Sequence, residues 1–95
     1  MSYDLAFHPA AWEEWNRLDR PIREQFRKKL RERLEQPRLA SAQLAGHPHR
    51  YKIKLRAAGY RLVYEVRDGE RLVIVVAVGK RERNAADTTA AKRRT

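Results

Sequence analysis

Between Tyr51 and Val66 the chain reads YKIKLRAAGYRLVYEV. Taken in steps of two, Tyr51, Ile53 and Leu55 alternate with Lys52 and Lys54. Beyond Ala57-Ala58-Gly59 the period returns, with Tyr60, Leu62, Tyr64 and Val66 alternating with Arg61, Val63 and Glu65. Alternation on both sides of a short glycine-containing break specifies a β-hairpin with one dry face. A slip of one residue would turn every apolar side chain to water, so Leu55 must lie opposite Tyr60 and Ile53 opposite Leu62. Lys54 then faces Arg61, with Lys52 two positions along on the same side. Like charges placed opposite one another destabilise a sheet, and an anion is the simplest reason to place them so. The connection stays open: Ala-Ala is a poor two-residue turn, and Gly59 supports a bulge as an alternative.

The rest of the chain supplies what this hairpin packs against. Tyr3, Leu5 and Phe7 alternate with Asp4 and Ala6, which predicts a first strand ended by His8-Pro9. From Ala10 the period becomes helical, and Trp12, Trp15 and Leu18 share a stripe that reads as core. Pro21 and Glu24 mark the start of a second helix. Its stripe is Ile22, Phe26, Leu30 and Leu34, and Pro37 ends it. The opposite face carries Arg23, Arg27, Lys28 and Arg31, which is either a solvated face or a contact for RNA or an acidic partner. So short a join between the two helices predicts an antiparallel helical hairpin. Residues 38–50 form a loop that Leu44 pins to the core.

After the central hairpin, Asp68-Gly69 is a strong short-turn signal. Pairing Arg67 with Glu70 sets Tyr64 against Val73 and Leu62 against Val75. Leu72 to Val78 is apolar at almost every position, as expected of a central strand buried on both faces. Its second neighbour must be the N-terminal strand. Asn84 is placed to cap a last helix through Lys92, which is rich in Ala and Thr and therefore weakly docked. The expected plan is β-α-α-β-β-β-α: an α+β fold with a helical hairpin on one face of a small, mostly antiparallel sheet. Lys52, Lys54 and Arg61 lie on the other face, with Arg81 at its rim.

Ninety-five residues suit a single domain, 1–95, with a modest core. The formal charge is +10 and the charge is clustered, which points to a polyanionic partner. No cysteine is present, so disulfides and thiolate chemistry are excluded. No signal peptide is visible, and the longest apolar run is too short to span a bilayer, which leads us to expect a cytoplasmic protein without membrane contact. His8, His47 and His49 lack accompanying Cys or clustered carboxylates, so no metal site is expected.

Cleavage of a phosphodiester by its own 2′-hydroxyl builds negative charge around phosphorus, which fixed Lys and Arg side chains stabilise in a partly dry cleft. Arg grips phosphate oxygens in a bidentate way. A lysine crowded by cations has a lowered pKa and can act as a base. No His pair or Glu–His pair is evident, so the residues by themselves support anion binding more than RNA cleavage.

Several blocks together resemble one family over essentially the whole chain: Glu14-Trp15, Arg23-Glu24-Gln25, Lys28-Lys29-Leu30, Tyr51-Lys52-Ile53-Lys54-Leu55-Arg56, Gly59-Tyr60-Arg61-Leu62-Val63-Tyr64 and Val78-Gly79-Lys80-Arg81-Glu82-Arg83. They resemble the RelE branch of the RelE/ParE toxin superfamily. The resemblance implies a ribosome-dependent endoribonuclease that cuts mRNA in the A site and leaves a 2′,3′-cyclic phosphate and a 5′-hydroxyl, without metal or cofactor. It implies a site made of Lys52, Lys54, Arg61 and Arg81. Lys52, Lys54 and Arg61 orient the strand and hold the phosphate, Lys54 takes part in proton transfer, and Arg81 stabilises the transition state. Arg23, Arg27, Lys28, Arg56, Lys80 and Arg83 are candidates for RNA and ribosome contact. A RelB-like antitoxin is the implied partner, and operator DNA is met only through the toxin–antitoxin complex.

One position departs from the pattern. The family's functional Tyr in the last helix corresponds to Asp87, and position 45, often basic, is Ala45. Asp cannot stack on a base, and surrounding cations favour its ionised form. Reduced or altered cleavage is therefore expected. Two alternatives follow: an attenuated relative that binds ribosome and antitoxin, and a ParE-like gyrase inhibitor.

Overall fold

The computed structural model describes residues 2–81 and 85–95. Its elements are β1 (Asp4–Phe7), α1 (Pro9–Asn16), α2 (Arg20–Glu35), β2 (Arg50–Leu55), β3 (Tyr60–Arg67), β4 (Leu72–Lys80) and α3 (Ala85–Ala91). A short 3-10 turn, Ala40–Ala42, lies between α2 and β2. The strands form one sheet in the order β1-β4-β3-β2, with β1 parallel to β4 and the other pairs antiparallel. This is the expected plan, with β4 as a central strand flanked by the N-terminal strand.

The β2–β3 register follows from the alternation of the sequence. Ile53 pairs with Leu62, Lys54 with Arg61 and Leu55 with Tyr60. The strands are joined through Arg56–Gly59, where Gly59 has φ of 73° and its N–H donates to Leu55 O at 2.8 Å. A Cβ at Gly59 would meet nothing within 4 Å. The glycine is therefore needed for its left-handed backbone, not for space.

The β3–β4 register differs from the expected one. Arg67 pairs with Leu72, Val66 with Val73 and Tyr64 with Val75, and after an irregularity Leu62 meets Val78. Thus neither Tyr64–Val73 nor Leu62–Val75 is a pair. The loop has four residues, closed by Arg71 N–H donating to Asp68 O at 3.0 Å, with Arg71 at φ 49°. Asp68 does not serve a two-residue turn. Its carboxylate accepts from Tyr3 Oη at 2.7 Å and from Arg38 Nε at 2.8 Å. A shift of two residues keeps the same side chains on the dry face, so alternation does not discriminate between these registers. The irregularity is a bulge at Val76. It sends both Val76 and Ala77 to one side, while Val75 and Val78 face the other.

Two clusters result. The larger lies under α1 and α2 and joins Trp15, Phe26 and Leu30 to Tyr51, Ile53, Leu55, Leu62, Tyr64, Val73 and Val75. Phe26 is completely buried, and such a side chain contributes about 1.5–3 kcal/mol on burial. Trp12 departs from the expectation of a buried pair. It is 49% exposed, against 5% for Trp15, and meets the edge strand β1 through Phe7, ring centre to ring centre 5.1 Å. Leu18 is buried but lies beyond the helix end. Glu24 lies past the first turn of α2 and pairs with Arg27.

The smaller cluster, Leu44, Val63, Val76, Ala77, Ala86 and Ala90, fastens α3 to the opposite face of the sheet. Its apolar area is small, as expected, but polar ties add to it. Arg93 donates to both oxygens of Glu14 at 2.8 and 2.9 Å and to Val76 O at 2.9 Å. Arg50 reaches Ala90 O, and also Arg93 O at 2.8 Å. Asn84, the expected cap of this helix, lies outside the described residues.

Candidate functional site

The sheet face opposite α1 and α2 carries the odd members of the alternation. Lys54 stands directly across from Arg61 and Lys52 across from Val63. Arg56 begins the loop that follows, and Arg81 N–H donates to Gly59 O at 2.7 Å, which brings Arg81 to that same loop. The grouping shows in the charge felt by Lys54. Its ammonium is pushed below its ordinary value first by Lys52, then by Arg61, by partial desolvation, and by Arg56 and Arg81. Like charges favour the neutral amine, so this ammonium gives up its proton more readily than an isolated lysine.

Arg61 and Asp87 form the inner part of the site. Arg61 Nη1 donates to Asp87 Oδ2 at 2.6 Å, with the arginine side chain 8% exposed and the aspartate 22%. Asp87 lies on α3, so the docked helix delivers a carboxylate to the sheet cation. Asp87 Oδ1 is buried and accepts no hydrogen bond among the described residues. A carboxylate on Arg61 stands where a phosphate oxygen would bind, and makes the same charge-assisted contact.

Toward the outer edge of β2 further basic side chains gather. A cleft of about 240 Å³ is lined by Arg33, Ser41, Lys52, Lys54 and Arg56 together with Leu39 and Ala42. Among the described residues no carboxylate lines it. Arg33 Nη1 donates to Lys52 O at 3.1 Å and to Tyr64 Oη at 3.0 Å.

Comparisons with known proteins agree with this architecture. The family model for the ParE toxin of type II toxin-antitoxin system, parDE, matches residues 5–85. The mRNA interferase toxin RelE of Escherichia coli (strain K12) is 50% identical over 93 residues, covering 98% of each chain. The chain belongs to the RelE-like toxins of type II toxin-antitoxin systems. Among solved structures, the E. coli toxin RelE (R81A/R83A) mutant in the free state superposes with a TM-score of 0.91 at 47% identity, covering 100% of both chains. The toxin in the intact E. coli RelBE toxin-antitoxin complex superposes at 0.83 with 51% identity, over 86% of this chain and 100% of that one.

In this RelE-like toxin the remaining basic candidates lie elsewhere. Arg27 pairs with Glu24 and stacks 5.9 Å over the Trp15 ring. It borders an apolar groove formed with Leu5, Phe7, Trp12, Leu30 and Leu34. Arg23 and Lys28 share α2 with it, and neither is among the charges acting on Lys54. Lys80 pairs with Tyr60 and neighbours Glu14 and Arg17, on the helix side of the sheet. Arg83 lies outside the described residues. His8 caps α1 through Nδ1, accepting from Ala10 N–H at 3.1 Å, and His49 contacts Arg38 at 3.0 Å. Arg33 was not singled out by the alternation or the motifs. Its signal was position: three residues after Leu30, it flanks the apolar stripe of α2 and is directed toward the sheet margin.

Among the described residues no helix is long and apolar enough to cross a membrane.

Proposed function

We propose that this RelE-like toxin is a ribosome-dependent endoribonuclease that cuts mRNA in the A site and is neutralised by a RelB-like antitoxin. The observation that carries the reading is the cation group around Lys54, set by the pairing of Lys54 with Arg61 and the return of Arg81 to the Gly59 loop. Neutral Lys54 takes the proton of the 2′-hydroxyl. The 2′-oxygen bonds to phosphorus as the bond to O5′ breaks, O5′ takes a proton from water, Lys54 returns its proton to solvent, and the products are a 2′,3′-cyclic phosphate and a 5′-hydroxyl. Lys52 and Arg61 hold the non-bridging oxygens, and Arg81 stabilises the charge that builds toward the leaving oxygen. The reaction takes place in the cytoplasm, on the ribosome. Exposed Leu5 and Trp12 beside the apolar groove offer surface to a protein partner. The toxin meets operator DNA only through the antitoxin.

A second reading has a specific observation behind it. Asp87 occupies Arg61, so α3 in this position competes with a phosphate for the same guanidinium. On this reading the chain binds ribosome and antitoxin but cleaves slowly. Purified ribosomes programmed with a defined mRNA separate the two. An A-site cut ending in a 2′,3′-cyclic phosphate is the expected result. Retained binding without a cut, restored by Asp87→Tyr, would replace it with the attenuated reading.

A further inference from the structure

Two places on the basic face are open to an anion, and they differ in one respect. At Arg61 a carboxylate of the chain itself is already present. At the outer edge of β2 the cleft lined by Arg33, Ser41, Lys52, Lys54 and Arg56 has four basic side chains and a hydroxyl and, among the described residues, no acidic side chain in its wall. Arg33 is held before any ligand arrives. Nη1 makes both of its hydrogen bonds, to Lys52 O and Tyr64 Oη, and the guanidinium lies 5.7 Å from the centre of the Tyr64 ring. Nε and Nη2 make no protein hydrogen bond among the described residues, and they are the pair of donors that suits an oxyanion. Tyr64 is itself fixed, donating to Pro37 O at 2.7 Å. Immobilising a long side chain in advance removes part of the cost of binding.

We propose that this cleft is a second phosphate subsite, in which Arg33 with Arg56 holds an RNA phosphate adjacent to the one being cleaved, on which Lys52 and Lys54 act. The inference rests on the RNA-cleavage reading above and extends it to a residue outside the reacting centre. The phosphate comes from the mRNA or from the ribosomal RNA beside it, and the two are separable.

The test compares the wild type with Arg33→Gln and Arg33→Lys for affinity to programmed ribosomes across a range of salt. Gln keeps a donor toward Tyr64 and removes the charge. The expected result is about a tenfold loss of affinity for Arg33→Gln, a salt slope shallower by about 0.7 to 0.9, and in Arg33→Lys a restored slope with only part of the affinity. Single methylphosphonate substitutions along the mRNA then locate the phosphate. If one substitution abolishes the difference between wild type and Arg33→Gln, the phosphate is in the mRNA; a difference that survives every substitution places it in ribosomal RNA. Equal affinity and slope in wild type and Arg33→Gln would overturn the proposal. So would a loss of affinity with an unchanged slope and a lowered melting temperature, which would make Arg33 only a seal on the β2 edge. Should Arg33→Gln fail to fold, Ser41→Asp, which places a carboxylate in the same cleft from an exposed position, is expected to weaken binding similarly, and wild-type affinity would again overturn the subsite. Wild-type binding without cleavage would refute the catalytic reading alone and leave this comparison intact. Absence of wild-type ribosome binding would refute both.

Discussion

Tyr64 has no exposed surface, yet its hydroxyl is part of a polar chain. It donates to Pro37 O, just past the end of α2, and accepts from Arg33. Its ring stacks on Tyr51 at 5.7 Å, and Tyr51 Oη accepts from Arg38 at 3.2 Å. Burial pushes the Tyr64 hydroxyl above its ordinary value, with Arg33 opposing, so it remains a donor at neutral pH. Tyr64→Phe keeps the packing but removes the donor to Pro37 O and leaves Arg33 Nη1 with Lys52 O alone. We expect it to lower stability by about 1–3 kcal/mol in denaturant unfolding, with the midpoint moving at an unchanged slope. Lys52, Lys54 and Arg61 could be placed on one face from the sequence because a period of two fixes side. The partner of Arg61 could not, since 26 residues separate it from Asp87 and periodicity carries no information about which charges meet.

At the level of elements, the hairpin of β2 and β3 was legible because polar and apolar residues alternate on both strands. β4 was legible as a central strand and illegible in register, because a run that is apolar throughout does not mark where a bulge falls. α3 is the element the sequence described least well. Its apolar residues are alanines, and its attachment runs through Arg50, Arg61 and Arg93, which are spread over the chain. Arg93 is held protonated above its ordinary value chiefly by its bonds to Glu14. Removing it with Arg93→Ala should release α3 without unfolding the sheet. Amide exchange across residues 85–91 is then expected to quicken by one to two orders of magnitude, corresponding to about 1.4–2.7 kcal/mol of local opening, while β3 and β4 keep their protection. Uniform acceleration across the whole chain would show instead that α3 and the sheet open as one unit.

Over the whole molecule, the radius of gyration is 12.0 Å, and the screening length at physiological salt is about 8 Å. On the RNA-binding reading proposed above, Arg23 and Lys28 on α2, which are not among the charges felt by Lys54, would act on an approaching polyanion more than on a phosphate at the site. The acids oppose the excess charge from within the fold. For Glu65, burial favours the neutral form, but hydrogen bonds from Thr95, Arg50 and Arg67 outweigh it and hold the carboxyl below its ordinary 4.5. A depressed folded value means a stabilising contribution that is complete above 4.5 and is lost as pH falls through the lower folded value. We expect stability to fall in that acid range, and Glu65→Gln to be less stable at neutral pH but to show a flatter acid limb in thermal unfolding. An acid limb identical to that of the wild type would remove Glu65 from this role.

The Arg61–Asp87 contact has a consequence for how the toxin reads ionic strength. Salt dependence counts only mobile ions set free when a phosphate is neutralised. On the RNA-binding reading proposed above, a phosphate that takes Arg61 from Asp87 sheds its own condensed cation, and the freed carboxylate recruits one in return. The slope for the intact chain would then understate the number of phosphates gripped, and the hold at that arginine would depend on where a helix lies.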